Sequence, residues 1–590
     1  MIFKIHLYSR FLLSEIFSLK SKSFFIINFF KQISIIKLII FYITKKNYPF
    51  RNNDINEYLK KNDQIWINEK INSKKKIIID LTLNSHPLYA ISNWLIAKDL
   101  SKFYKTNNIV GLINRYDYLS YFISLSFGIK NFHYADNHSF VSRFFYFFKA
   151  TNLIEEKNIK KKLIKLRYKK ILIGKAAYEY TIRNFIKDIF SKKENYLFYI
   201  SISRALYSLE NHEKFFNHDI SAFVIGELQY IPNRIFYEYA TKYKIPIHTR
   251  LGGSAAEPDI SVRCYRKTKD RYSPRAKISK NLALFLRKNS DFNFKKKVNK
   301  YFLKAASSSS KQIGLDGAMT DNGHIKKQKV IQFKDNLSFN NFFNLSDKNK
   351  NILILPHVIS DNSFTSEWNL FSTPLDWFIK TLYRSKRIKN VNWIIKPHPS
   401  EKLYSPTVSV KKFYDEIIKS KHKNVKFINE NITIKDLQKH VDCIITSSGS
   451  AGFHYSSLGL PVITTADTLY SNFNFTYAPN NKNDYYHLIE NLHKIKKLNK
   501  DKIYMAKLYW YASKKIIRSK NNLLPLFDHH HNYDQKKFWK HANRINLVKN
   551  KIKNPFSKYF KIQLNNNNRH TINFSPINGK NYNNLKLNDI

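Results

Sequence analysis

A chain of 590 residues, 43% hydrophobic and 15% aromatic, carries enough apolar material for two or more full cores, which excludes a protein disordered as a whole. Lys and Arg number 101 against 43 Asp and Glu, a formal charge of +58, with the excess in Lys dispersed along the chain among abundant Asn, Ile, Phe and Tyr. All five types have AT-rich codons, so base composition accounts for the charge; nucleic-acid binding is not expected, although anionic partners are favoured.

Residues 1–75 form a basic, apolar N-terminal segment. Its stretch from Phe24 to Ile43 is interrupted by Lys31, Gln32 and Lys37, so there is no clean run of the ~20 apolar residues that a bilayer span requires. Two readings remain: a basic amphipathic helix on an anionic inner membrane surface, or a helix packed on the body of the protein. No small-residue cleavage site follows it, so a removable signal is not expected. Cys264 and Cys443 lack metal-ligand spacing, and Cys443 lies in an apolar run. Neither a disulfide nor a zinc site is expected, which fits a reducing cytoplasm.

From Lys76 strands and helices alternate. Ile77 to Leu81, Ile109 to Ile113, Ala222 to Ile225 and Ile245 to Thr249 read as strands, with helices over Ala90 to Tyr104 and Arg234 to Lys244. Alternation of this kind implies a mainly parallel sheet covered on both faces, with ligands beyond the carboxyl ends of its strands. The residues there are Asp80, Asn84 and His86, then Gly226-Glu227, then Arg250-Leu251-Gly252-Gly253. Residues 76–290 are therefore read as one Rossmann-like domain. The stretch 291–350, with Ser307 to Ser310 and a Lys/Asn-rich end, reads as a connector with little core of its own.

A second alternating unit occupies 351–500. Its predicted strands are Ile352 to Leu355, Asn392 to Ile395, Val425 to Ile428, Asp442 to Thr446 and Val462 to Thr464. Helices fit over Leu375 to Arg384, Lys411 to Lys419, Ile434 to His440 and Ala451 to Leu458. Helices continue through 501–548, and 549–590, rich in Asn and Lys, reads as a disordered tail. His529-His530-His531 lacks companion ligands and reads as a solvated turn, with no metal expected.

Two motifs carry the chemistry. Val391 to Ile395 stops at Lys396-Pro397-His398-Pro399, where the prolines hold Lys396 and His398 extended, so cation and imidazole project to the same side. After Cys443 to Thr446 comes the turn Ser447-Ser448-Gly449-Ser450, which opens a helix. Free backbone donors and the helix dipole make such a turn a seat for phosphate.

A strand ending in Lys-Pro-His-Pro, a Ser-Ser-Gly turn, a short helix, Gly459-Leu460-Pro461-Val462-Ile463 and the aromatic run from Tyr470 to Pro479 together resemble the carboxyl half of bacterial capsule and surface-polysaccharide synthesis proteins. These are GT-B-type glycosyltransferases related to Kdo- and sialyl-transferring enzymes. The likeness is good over roughly 130 residues, and the order of the motifs is what is specific. It implies an α/β, GT-B-like architecture of two Rossmann-like doubly wound domains facing across a cleft. The activity implied is transfer of a sugar from a nucleotide-sugar donor, CMP- or UDP-linked, to a glycan or lipid-linked acceptor. His454-Tyr455 departs from the family's Glu-Ala, and the resemblance gives that Glu to the donor nucleotide, so His454 is the candidate in its place.

Within this reading Lys396, His398 and Ser447 to Ser450 stabilise the departing phosphate. No Asp-x-Asp sequence stands in the cleft-facing turns, so a metal is not required and no cofactor is expected. The base is Glu227 or His86, with Glu257 and Asp259 as alternatives. Arg250 either binds an anionic acceptor group or forms a structural ion pair, and Gly252-Gly253 either admits a ligand to the backbone or turns the chain. Three other readings stand beside glycosyl transfer: a polyol-phosphate transferase, a nucleotide-sugar epimerase, and a membrane-associated glycan-assembly protein without turnover.

Overall fold

The computed structural model describes residues 50, 52–66, 73–82, 87–114, 117–135, 140–184, 194–213, 219–226, 228, 230–252, 259–265, 278–307, 331–359, 369–398, 401, 409–418, 422–429, 432, 434–525, 535–548, 554–566, 568, 571–573 and 575–577. The N-terminal segment through residue 49, the His529 to His531 run, and Asn84, His86, Glu227, Gly253 and Glu257 lie outside them.

The strands in chain order are β1 (Lys76–Asp80), β2 (Ile109–Ile113), β3 (Asn131–Tyr134), a short hairpin of β4 (Arg167–Tyr168) and β5 (Ile171–Leu172), β6 (Ile220–Ile225), β7 (Ile247–Gly252), β8 (Asp259–Tyr265), β9 (Lys350–Ile354), β10 (Val391–Ile395), β11 (Val425–Phe427), β12 (Cys443–Thr446), β13 (Val462–Thr464) and β14 (Ser519–Lys520). The first large sheet has the order β14-β8-β7-β6-β1-β2-β3. Its strands β7, β6, β1, β2 and β3 are parallel, while β8 and β14 are antiparallel additions at one edge. The second sheet, β11-β10-β9-β12-β13, is parallel throughout. In each, successive strands build outward from one central strand and then restart on its other side, between β1 and β6 and between β9 and β12. Both sheets are thus doubly wound, as the strand pattern implied.

Helices used below are α1 (Asn53–Ile65), α2 (Pro87–Tyr104), α3 (Phe140–Leu153), α4 (Gly174–Asn184), α5 (Tyr196–Glu213), α6 (Asn233–Lys242), α7 (Phe292–Ser307), α8 (Pro374–Ser385), α9 (Val410–Ile418), α10 (Ala451–Ser457), α11 (Lys500–Lys515), α12 (Gln535–Val548) and α13 (Pro555–Asn565). Local sequence explains their ends. Thr373 caps α8 by accepting from the Asp376 amide, Pro374 starts the helix where no amide donor is needed, and Leu375, Phe378 and Leu382 share the buried face. The Tyr178 hydroxyl of α4 hydrogen-bonds the Thr373 side chain, so the first domain meets the second at this cap.

Two expectations need correction. The stretch read as a coreless connector includes α7, whose Phe294, Val298 and Phe302 bury against α11. Residues 555–565, within the stretch read as a disordered tail, form α13, with Phe556, Phe560 and Leu564 buried in the core of the first domain. In both cases apolar residues at i, i+4 and i+8 make one stripe that average composition dilutes with Lys and Asn. The chain therefore returns to its first domain: β14 pairs with β8, Tyr58 of α1 packs its ring 5.2 Å from Trp539 of α12, and Ser557 of α13 donates to Asp99 of α2 at 2.8 Å.

The second sheet is mostly apolar, and at its amino edge Asn351 of β9 and Asn392 of β10 are paired in register and buried. Asn392 Nδ2 donates to Asn351 Oδ1 and to the Ser346 carbonyl, each at 2.8 Å. Asn351 Nδ2 donates to Asn340 Oδ1 and to the His440 carbonyl, also at 2.8 Å. A one-residue slip would place Asn351 opposite Val391 or Trp393 and Asn392 opposite Lys350 or Ile352, so the paired amides fix the register as well as stabilise it. Asn392→Ala, which leaves Asn351 Oδ1 and the Ser346 carbonyl without this donor, is expected to lower stability by about 2 kcal/mol. Urea unfolding against the parent protein measures it, and an unchanged midpoint would remove the amide ladder as a stabilising element.

Candidate functional site

Strands β9 and β10 end alike. Ile354-Leu355-Pro356-His357 and Ile395-Lys396-Pro397-His398 lie side by side, and the Lys396 amide donates to the Ile354 carbonyl at 3.1 Å, extending the ladder one step past both strands. Each proline ends donation to the ladder and holds the residue before it extended, so both chains leave the sheet at its carboxyl edge. A cavity of about 260 Å³ opens there, next to the β9/β12 switch point. His357, Lys396, His398 and His454 line it together with Thr446, Ser448, Gly449, Ser450 and Tyr455, over an apolar wall of Leu355, Ile432, Leu437 and Leu469.

The turn after β12 is held from beneath. The Gly449 amide donates to Thr446 Oγ1 at 3.3 Å, and the Gly449 carbonyl accepts from the Gly452 amide at 3.1 Å and from the Tyr470 hydroxyl at 2.8 Å. Ser450 stands at the N-cap position before α10, makes no capping bond from its side chain, and is exposed where it lines the cavity. Its hydroxyl is thus not spent as an ordinary helix cap. Gly452 is required by Tyr470: a Cβ there would stand 1.8 Å from the tyrosine hydroxyl oxygen. The aromatic run around Tyr470 is a buttress, with Tyr470 stacked on Phe475 at 5.2 Å and Phe473 edge-on to Tyr509 at 5.4 Å.

His454 is buried, with its ring edge against Phe453 at 3.9 Å and tilted over Trp510 at 5.1 Å, and it reaches the cavity from within this aromatic layer. Six of the predicted donor-side residues therefore share one cavity: Lys396, His398, Ser448, Gly449, Ser450 and His454. Ser447 does not join them. Its side chain is buried and its carbonyl accepts from the Thr465 and Ala466 amides at 3.1 and 3.2 Å, so it anchors the loop after β13. The Gly449 amide, expected as a free donor, is turned inward to Thr446. Among the described residues no group of three or more His, Cys, Asp or Glu is placed to hold a metal ion, so the imidazoles are not arranged as a ligand set.

Two further residues belong to this edge. His357 has no part in the sequence reading, although Pro356-His357 repeats the Pro397-His398 strand ending. Glu401 follows the Lys-Pro-His-Pro loop, donates its amide to the His398 carbonyl at 3.0 Å, and accepts from the Val410 amide at the start of α9. Burial pushes its carboxyl from 4.5 to about 7, against the opposing effect of the Val410 donor.

On the first domain the switch point is organised by Asp80. Its buried carboxylate accepts from the Thr82 amide (2.9 Å), Thr82 Oγ1 (2.6 Å), Asn233 Nδ2 (2.7 Å) and the Gly226 amide (3.4 Å), which ties the ends of β1 and β6 to the start of α6. Burial raises its carboxyl above the usual range while these donors pull it down. Arg250 lies in the β7/β8 ladder opposite Val262, with its guanidinium 4.3 Å over the Tyr89 ring of α2. Gly252 pairs with Ile260 in the same ladder, so it belongs to the strand and not to a loop.

Residues 273–521 match the family described as Capsule polysaccharide biosynthesis protein, which contains every motif on which the sequence resemblance rests. No curated protein matches the chain. Among solved structures, the Thermosulfurimonas dismutans KpsC β-Kdo 2,4 transferase is similar at 13% identity, covering 52% of this chain and 83% of its own, with a TM-score of 0.28. The β-Kdo 2,7 transferase of the same KpsC gives 11%, 55%, 85% and 0.30. The UDP-GlcNAc 2-epimerase of Neisseria meningitidis bound to UDP-GlcNAc gives 14%, 80%, 100% and 0.22.

Gly452→Ala is expected to displace Tyr470 from the Gly449 carbonyl and to lower stability by about 2 kcal/mol, the cost of overpacking together with a lost buried hydrogen bond. Urea unfolding against the parent protein checks it, and an unchanged midpoint would show that the buttress is not needed.

Glu401 carries a pH signature. Because its folded value is raised, its proton is retained in the folded protein between pH 4.5 and about 7, and stability falls as pH rises through that window. Glu401→Gln, which stays neutral and still accepts from Val410, is expected to match the parent near pH 4.5. By pH 8 it should be more stable, by on the order of 2 kcal/mol. Parallel melting curves of the two proteins across this range would refute it if they ran together.

Proposed function

We propose that this protein is a glycosyltransferase of capsule or surface polysaccharide synthesis, which seats the phosphate of a nucleotide-sugar donor in the cavity beside β9 and β12. The observation that carries the reading is the convergence of Lys396, His398 and the Ser448 to Ser450 turn on one cavity at a doubly wound sheet's switch point, where such sheets take their ligands. The family match over the same residues agrees with it.

Breaking the bond from sugar to donor phosphate leaves negative charge on the departing nucleotide. In this reading Lys396 offers a fixed positive charge and His398 a hydrogen bond to that oxygen. The Ser448 and Ser450 hydroxyls hold the remaining phosphate oxygens, so the charge is met without a metal ion. His454 takes the nucleotide-side position that the family gives to Glu. The acceptor, a glycan or lipid-linked hydroxyl, approaches from the first domain, where Glu227 or His86 takes its proton and Arg250 faces an anionic group. The Asp80 cluster positions this edge by holding Gly226 next to Glu227 in sequence. No described helix is long and apolar enough to cross a membrane. From its substrate class and its basic N-terminal segment, we place the protein in the cytoplasm, on the inner face of the membrane.

His398→Ala is expected to lower turnover by about a hundredfold or more, as removal of one transition-state donor does. His493→Ala, exposed and hydrogen-bonded to Asn390 near the amino end of β10, is the matched control and should be nearly silent. The donor is found first by thermal shift with CMP, UDP, GDP and CDP, since a ligand of the native state raises the melting temperature. Nucleotide release from the matching sugar donors then separates an enzyme from a binding protein. Unchanged turnover and nucleotide affinity in His398→Ala would move the active site elsewhere.

A further inference from the structure

Helix α3 buries one side and exposes a second apolar side. Phe147 and Ala150 are buried against the rest of the first domain, whereas Val141, Phe144, Phe145 and Phe148 are 75%, 39%, 57% and 48% exposed. These four follow the spacing i, i+3, i+4, i+7, so they form one continuous ridge over two turns. A ridge of three phenylalanines and a valine on a soluble face is far from the usual scatter of single apolar residues and marks a contact surface.

Charge identifies the contact. Lys149, next along the ridge, lies 6.0 Å from the Phe145 ring and 4.8 Å from the ring of Tyr168 on the β4/β5 hairpin. Lys149 and Tyr168 both donate to Glu210 of α5, at 2.7 and 2.6 Å, which fastens the hairpin against the end of α3. The segment so fastened exposes Lys157, Lys162, Lys165, Arg167, Lys169 and Lys170. Glu155 and Glu213 answer only Lys157 and Lys169 of these among the described ion pairs. Aromatic rings on a convex helix, flanked by a block of cations, match the boundary between anionic headgroups and acyl chains, where rings sit below the phosphates and lysines stay among them.

We propose that the Val141–Phe148 ridge of α3, with the basic segment 157–170 beside it, docks this protein on the surface of an anionic lipid bilayer. The proposal is separate from the chemistry of the cavity and uses none of its residues.

The test uses the full chain. Phe145→Cys carrying an environment-sensitive dye is specific because both native cysteines are buried. Vesicles of phosphatidylglycerol and phosphatidylcholine should shift its emission to the blue, and vesicles of phosphatidylcholine alone should not. In co-sedimentation, Phe145→Ser combined with Phe148→Ser should reduce binding to the anionic vesicles by about tenfold or more, with the melting temperature and its shift by nucleotide unchanged. Lys165→Glu with Lys170→Glu should do likewise and flatten the dependence on salt. Vesicle binding without a dye shift, binding equal to the parent in the double serine variant, or no binding by the parent would overturn the proposal. So would loss of binding on removing residues 1–49 alone with α3 intact, or a dye shift that follows protein concentration and not lipid, which would assign the ridge to a second copy of the chain.

Discussion

A parallel strand cannot reach its neighbour by a tight turn, so each must be followed by a crossover that carries the chain back to the same starting edge. That constraint shapes both halves of this molecule. It buries β1, β2, β6, β9, β10, β12 and β13 on both faces, which is why they read as rich in Ile, Leu and Val, and it delivers the carboxyl end of every parallel strand to one edge. Reversal of winding beside β1 and β9 then parts the loops and leaves a crevice at each sheet. The cavity of the second domain follows from topology before any particular side chain is considered.

What fills that crevice is set by a support beneath it. The turn after β12 is pinned by Thr446 from within the strand and by Tyr470 from the aromatic layer, and Gly452 is the small residue that lets Tyr470 approach. The same layer carries His454 and continues through Tyr509 and Trp510 of α11 to Phe302 of α7. Rigidity at the turn is thus drawn from packing about residues far along the chain. Glu401 plays a related part on the other wall, joining the Lys-Pro-His-Pro loop to the start of α9.

The charge of the protein has an unequal distribution of consequence. Among the described residues, exposed pairs such as Lys380–Asp376 and Lys411–Asp415 contribute little. Two places differ. Lys396 stands at the cavity, and the segment 157–170 stands beside an exposed aromatic ridge. Dispersal along the sequence, which speaks for base composition, is therefore compatible with local arrangements that only the fold creates.

The sequence by itself determined the α/β class, the two doubly wound units and most strands to within two residues, because apolar runs and turn residues act locally. It also determined that Lys396, His398 and the Ser-Ser-Gly turn would share an edge, since strand ends in such sheets always do. Only the tertiary structure decided which groups meet there. Ser447 and the Gly449 amide face inward because Thr446, Thr465 and Ala466 lie beneath them. His357 enters because β9 and β10 are neighbours, and Glu401 is buried because α9 starts against it. The return of residues 519–565 to the first domain was hidden for the same reason. Phe556, Phe560 and Leu564 are a buried stripe only once a helix brings them to one side and the distant α2 and β8 supply the surface they cover.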